Sequence, residues 1–130
     1  MKQICAQNYR ELAVYKLAFE AAMALYWLMP QMLVEEGDLL EQQIVGDSRR
    51  VCTLLAEAWE TRRYYKAFIA KLNEVEMKVA AVQTWLAFAM ECGYLKVEVG
   101  QMHRDRYTNI LEEINQMAED ATDWSVRAAA

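Results

Sequence analysis

Hydrophobic positions recur every three or four residues along most of the chain, the spacing that places them on one side of an α-helix. The longest unbroken run lies between residues 62 and 92, and similar runs cover 38–59 and 96–122. An earlier run, 9–29, stops at Pro30, which lacks the backbone N–H that a continuing helix needs. The pattern therefore predicts four helices with short connections between them.

The first of these helices is unusually apolar, with only two charged residues in its stretch YKLAFEAAMALYWLM. One stripe, expected to face the other helices, contains Leu12, Tyr15, Phe19, Ala22, Tyr26 and Met29. A second line, nearly opposite, contains Leu17, Ala21, Ala24 and Leu28. One bundle buries only one face of a helix, so the second line is predicted to contact another subunit. The uncharged run 21–29 is much shorter than the roughly 20 residues that span a membrane, so no membrane partner is expected.

Composition supports an all-α fold. Hydrophobic residues make up 55% of the chain and charged residues 25%, while one proline and four glycines leave little material for the tight turns of a β-rich fold. A length of 130 residues fits one domain, 1–130. Four helices joined by short connections are most simply an antiparallel up-down-up-down bundle.

Residues that carry catalytic or metal chemistry are scarce. The chain has three widely spaced cysteines and one histidine, which do not form the short-spaced ligand set of a zinc site. His103 falls on the apolar stripe of the fourth helix, which favours a structural role. We therefore predict no catalytic residues, no metal and no cofactor. The least favoured alternative is an enzyme whose site forms between subunits, using His103 or Glu57.

The cellular location follows from two features of the sequence. Three separate cysteines give no disulfide framework, which favours a reducing compartment. The first residues also lack the basic-then-apolar pattern of a secretory signal. The expected location is the cytoplasm.

Charge is unevenly distributed, although the chain as a whole carries a net charge of −5. Between residues 49 and 78, seven Lys and Arg face four Glu, leaving +3. The end of the second helix and the start of the third are neighbours in a hairpin, so most of these cations are expected to share one end of the bundle. Arginine beside tyrosine is typical of surfaces that bind single-stranded RNA. The candidate nucleic-acid-binding residues are Arg49, Arg50, Arg62, Arg63, Tyr64, Lys66 and Lys71.

Two other interpretations of this charge remain open. The cations can pair with nearby carboxylates in a solvated network, and Arg50 is the expected partner of Glu57, seven residues later. They can also attract an acidic protein.

Four segments resemble a known family when they are taken together and in order. They are the EE-and-QI segment (35–44), SRRVCTLLAEAW (48–59), the RRY-to-KL segment (62–72) and WLAFAMECGYL (85–95). The chain is similar to the four-helix-bundle proteins encoded in intervening sequences of bacterial 23S ribosomal RNA genes. That family usually has a basic pair directly after QI, where this chain has Val45 and Gly46.

The resemblance implies a four-helix bundle assembled as a ring, typically a homopentamer. It also implies kinship with the accessory variability determinant proteins of diversity-generating retroelements, which bind a reverse transcriptase and its RNA. The expected function is thus a non-enzymatic, homo-oligomeric adaptor for RNA or a ribonucleoprotein such as a reverse transcriptase. The alternative is a protein-binding or structural ring without nucleic acid.

Overall fold

The structure is a computed structural model that describes residues 6–32 and 37–123. Four long helices make up most of it. They are α1 (Ala13–Leu28), α2 (Gly37–Glu60), α3 (Tyr65–Glu91) and α4 (Val97–Glu119). Short 3₁₀ turns at Tyr9–Glu11 and Met29–Gln31 flank α1. The described residues contain no strand, which confirms the all-α prediction.

Helix ends follow local chemistry. Pro30 lies in the 3₁₀ turn that ends α1, as its missing N–H requires. Gly93 has a φ of 76°, the left-handed conformation that glycine adopts without strain after a helix. Its N–H donates to the Met90 carbonyl at 3.0 Å, and the Tyr94 N–H donates to the Ala89 carbonyl at 2.8 Å. These two bonds satisfy the last carbonyl groups of α3.

The start of α3 differs from the prediction. The spacing of hydrophobic residues predicted a helix from residue 62. The structure begins α3 at Tyr65, and the Thr61 hydroxyl donates to the Ala58 carbonyl of the preceding helix at 3.0 Å. Residues 61–64 therefore form a turn, exposed at Arg63 and Tyr64, rather than the first turn of a helix.

Each helix packs against two main neighbours. α1 contacts α2 and α4, and α3 contacts the same two helices, with the most extensive contact between α2 and α3. This arrangement places α1 diagonally opposite α3.

The stripes predicted for the last three helices lie in the core. The buried members are Ile44, Ser48, Val51, Leu55 and Ala58 in α2, Phe68, Leu72, Val75, Val79, Val82, Leu86 and Ala89 in α3, and His103, Tyr107, Ile110, Ile114, Met117 and Ala121 in and just after α4. Leu40 is only half-buried and Tyr65 is exposed, because each lies near a helix end. Trp124, which continues the hydrophobic spacing of the fourth helix in the sequence, lies outside the described residues.

The face assigned to the first helix was wrong in part. Leu12, Ala22 and Met29 are buried as predicted, but Phe19 is 50% exposed and Tyr26 is 43% exposed. The side of α1 that α2 and α4 cover is formed instead by Val14, Ala18, Ala21, Ala22, Leu25 and Leu28. Alanine has little side-chain volume, so neighbouring helices can approach closely there, and the larger rings lie at the edge of the contact.

Polar side chains join the helices at half-buried positions. The Trp85 indole N–H donates to Asp47 Oδ2 at 2.7 Å, and Lys78 Nζ lies 3.5 Å from Asp47 Oδ1. On the other side of α3, Gln83 donates to the Arg104 carbonyl at 3.1 Å. Asp47 thus holds α2 to α3, and Gln83 holds α3 to α4.

Candidate functional site

The turn between α2 and α3 presents basic and aromatic side chains in unbroken succession. This basic-aromatic turn consists of Arg62, Arg63, Tyr64, Tyr65 and Lys66. All but the half-buried Arg62 are exposed. No aliphatic residue separates these five. Because α3 begins only at Tyr65, they form a short polar surface at one end of the bundle.

Arg62 is held in place by the last turn of α2. Its guanidinium lies 3.9 Å from the centre of the Trp59 ring, and its Nη1 donates to the Trp59 carbonyl at 2.9 Å. Burial lowers the pKa of Arg62, an effect that the neighbouring Glu60 carboxylate opposes. The side chain still carries its charge at neutral pH, because arginine titrates far above it.

The remaining side chains of the turn are open to solvent. Tyr64 is 68% exposed and Tyr65 is 53% exposed. Among the described residues, neither Arg63 nor Lys66 forms an ion pair. The turn therefore offers positive charge and ring surface that the rest of the described chain does not already use.

Two other predicted cations pair with carboxylates. Arg50 Nη1 lies 2.9 Å from Glu57 Oε2, which confirms that predicted pair. Lys71 Nζ lies 3.1 Å from a Glu74 oxygen and 3.3 Å from Glu57 Oε1. Hydrogen bonds to Glu74 and Glu57 raise the pKa of Lys71. The interpretation of the basic segment as a solvated ion-pair network therefore holds for Arg50 and Lys71.

Arg49 lies away from the turn. It is eleven positions before the end of α2 at Glu60, a separation of about 16 Å along the helix axis. Its guanidinium lies 5.6 Å from the centre of the Tyr26 ring, on the α1 side. Arg49 and Arg50 are therefore not among the cations at this end of the bundle, because both lie well inside α2.

A second surface feature runs along α1. Phe19, Met23, Tyr26 and Trp27 are exposed, and we call them the α1 apolar strip. Trp27 is the most exposed, at 65%. Grooves between the strip and α2 are lined by residues that include Val45, Gly46, Arg49 and Cys52.

The four residues predicted for a subunit interface do not form one surface. Ala21 and Leu28 are buried against the chain's own helices, which makes them unavailable on the surface of the bundle. Ala24 is half-buried, and Leu17 is exposed on the flank of α1 away from the strip. Of the residues that α1 exposes, Phe19 and Tyr26 are ones that the sequence assigned to its core.

One known protein family matches most of the chain. The model of the 23S rRNA-intervening sequence protein family matches residues 10–116. The chain belongs to this family. No curated protein and no solved structure gives a significant match.

The matched region of this 23S rRNA-intervening sequence family member contains both the basic-aromatic turn and the α1 apolar strip. It also contains all four main helices except the last three residues of α4. The two surfaces thus belong to the family domain and not to an added segment.

Buried polar groups form another feature of this family member. His103 and Tyr107 lie one turn apart on α4, and among the described residues neither His103 Nδ1 nor the Tyr107 hydroxyl has a hydrogen-bond partner within standard distance. Burial, and secondarily Arg106, lowers the pKa of His103. Burial raises the pKa of Tyr107, and it raises that of the Cys52 thiol to about 11. These groups are neutral at pH 7 and are buried in the core.

Two kinds of feature are absent from the residues described. No three His, Cys, Asp or Glu side chains among them lie close enough together to hold a metal ion. None of the helices formed by these residues combines the length and apolar character needed to cross a membrane.

Proposed function

We propose that the protein is a homo-oligomeric adaptor, a ring of antiparallel four-helix bundles that binds RNA or a ribonucleoprotein through its basic-aromatic turns. Five subunits are expected, because the family that the sequence resembles typically assembles as a homopentamer. The observation that carries the RNA-binding role is the exposed, unpaired state of Arg63 and Lys66 beside two exposed tyrosines. The role is one of binding and not of catalysis.

Antiparallel packing is supported by the side chains that join neighbouring helices. Asp47 contacts Lys78 and Trp85, whereas Glu57, further along α2, contacts the earlier residue Lys71. Contacts that move forward along one helix and backward along the next are those of an antiparallel pair.

Self-assembly is supported by apolar surfaces on two diagonal helices. The α1 apolar strip exposes four large side chains within nine residues, and soluble monomers seldom leave such a patch uncovered. On α3, Met77 and Phe88 are also exposed, at positions that face away from the core. Two different faces on opposite sides of a subunit suit a head-to-tail contact, which closes into a ring when the rotation between subunits completes a full turn.

RNA binding is supported by the local balance of charge. Arg62, Arg63 and Lys66 lie within five residues, and Glu60 is the nearest acidic neighbour in sequence. The overall charge of −5 opposes nonspecific binding over the whole surface, so attraction is confined to this end of the bundle. A ring would repeat the turn once per subunit and so raise the affinity for a long RNA.

Light scattering tests the assembly. Phe19→Glu with Tyr26→Glu places two charges in the strip and is expected to reduce the solution mass from an oligomer to a monomer, because each buried large side chain contributes about 2 kcal/mol to association. Lys96→Glu changes the net charge equally, lies at the start of α4 and should leave the mass unchanged. A wild-type protein that is itself monomeric, or a double variant of wild-type mass, would contradict this surface.

A filter-binding titration across salt concentrations tests RNA binding. Arg63→Glu with Lys66→Glu is expected to weaken binding at least about tenfold, because both charges reverse where phosphates would lie. Arg104→Glu with Arg106→Glu, on α4, makes the same change in net charge and should have little effect. Absence of binding at low salt, or equal binding by the two double variants, would reject the RNA role and leave a ring that binds only protein.

A further inference from the structure

We infer that the basic-aromatic turn selects single-stranded over double-stranded RNA, by stacking unpaired bases on Tyr64 and Tyr65 while Arg63 and Lys66 contact the phosphates. This inference rests on the proposed RNA role and specifies the class of ligand at the same site.

The two tyrosines provide the first part of the argument. Tyr64 precedes α3 with an extended backbone, at φ −111° and ψ 102°, and Tyr65 is the first residue of the helix. Both rings are more than half exposed. No ring of a described residue lies in stacking contact with either of them. Each therefore presents free ring surface to a ligand.

Arg62 adds a third planar group. Its guanidinium rests on Trp59 at 3.9 Å and is further fixed by the bond to the Trp59 carbonyl. An arginine side chain that is already fixed in place loses little further conformational freedom when a ligand binds beside it. The turn thus combines two free rings, one fixed planar cation and two exposed cations.

A duplex cannot use these features. In double-stranded RNA the bases are stacked on one another, so aromatic side chains reach only the groove edges and the backbone. The attraction of the turn for a duplex would then come only from Arg62, Arg63 and Lys66, which lie close to the acidic Glu60 in sequence. That attraction is weak for a chain of net charge −5. Unpaired bases can leave the strand and stack, and each base–aromatic stack adds affinity independently of sequence.

The test compares a fluorescein-labelled single-stranded RNA of about 12 nucleotides with the duplex of the same length, by anisotropy over a range of salt. The wild-type protein is expected to bind the single-stranded RNA at least about tenfold more tightly than the duplex. Tyr64→Ala should weaken that binding about tenfold at every salt concentration, with an unchanged salt dependence. Tyr64→Phe keeps the ring and should bind as the wild type does.

Lys66→Ala is the complementary variant. It is expected to reduce the slope of log affinity against log salt by about 0.7, the contribution of one phosphate contact in a single strand. Arg106→Ala, on α4, should leave both affinity and slope unchanged. Far-UV circular dichroism checks that each variant keeps the helical content of the wild type.

Equal binding of single strand and duplex, or wild-type affinity in Tyr64→Ala, would overturn the inference while leaving the RNA role intact, provided that Lys66→Ala still changes the slope. No binding of either RNA at low salt would reject both.

Discussion

Replacing Phe68 by alanine is expected to lower the free energy of unfolding by about 3–5 kcal/mol. Phe68 lies one turn into α3 and is 0% exposed within the shared hydrophobic core. The substitution removes a ring that contacts core residues on every side and leaves a cavity that close-packed neighbours fill only partly. Urea unfolding followed by circular dichroism, at one fixed protein concentration, measures the change.

Tyr65→Ala is the matched control for Phe68→Ala. Tyr65 lies three residues earlier on the same helix, and the hydrophobic pattern alone assigned both residues to one core stripe. Because its ring is exposed in the structure, its replacement should change stability by no more than about 0.5 kcal/mol. A loss in Tyr65→Ala as large as that in Phe68→Ala would show that Tyr65 is buried and that the start of α3 is misplaced.

Acid is expected to destabilise the protein through His103. Burial lowers the pKa of His103 in the folded state, so the folded protein binds fewer protons than the unfolded chain below the ordinary histidine pKa of about 6.5. The stability that the neutral His103 contributes is present in full above this ordinary pKa and is lost as the pH falls below it. The free energy of unfolding should then decrease by up to about 1.4 kcal/mol per pH unit.

Urea titrations at several values between about pH 7.5 and 5.5 measure this slope, above the range in which ordinary carboxylates titrate. His103→Gln, which stays neutral, should flatten the slope. A variant that keeps the wild-type slope would show that another group carries the pH dependence.

Helices α2, α3 and α4 could be predicted from the sequence because each alternates apolar and polar residues around its axis. In α3, Phe68, Leu72, Val75 and Val79 face the core, whereas the charged residues between them are expensive to bury. Such a pattern leaves only one side for the core. The stop at Gly93 was predictable for the same local reason, since only glycine takes its left-handed backbone without strain.

Helix α1 could not be oriented in this way because apolar residues surround most of it. Burying Phe19 and Tyr26, or Ala18 and Leu25, is nearly equivalent in the pattern alone. The choice depends on how closely α2 and α4 approach, and the small alanines permit the closer contact. That is a property of three helices together, and the sequence of one of them does not contain it.

The candidate site shows the same division. The sequence by itself determined that there are four helices and which side of α2, α3 and α4 faces the core. It also determined the excess of positive charge between residues 49 and 78. These properties depend on local spacing and composition. Only the tertiary structure decided which cations remain free. Arg50 meets Glu57 about two turns along α2, and Lys71 meets it from α3, whereas the late start of α3 leaves Arg63 and Lys66 exposed. Ion pairing depends on distances of a few ångströms in space, and positions along the chain specify those distances only after the helices have packed.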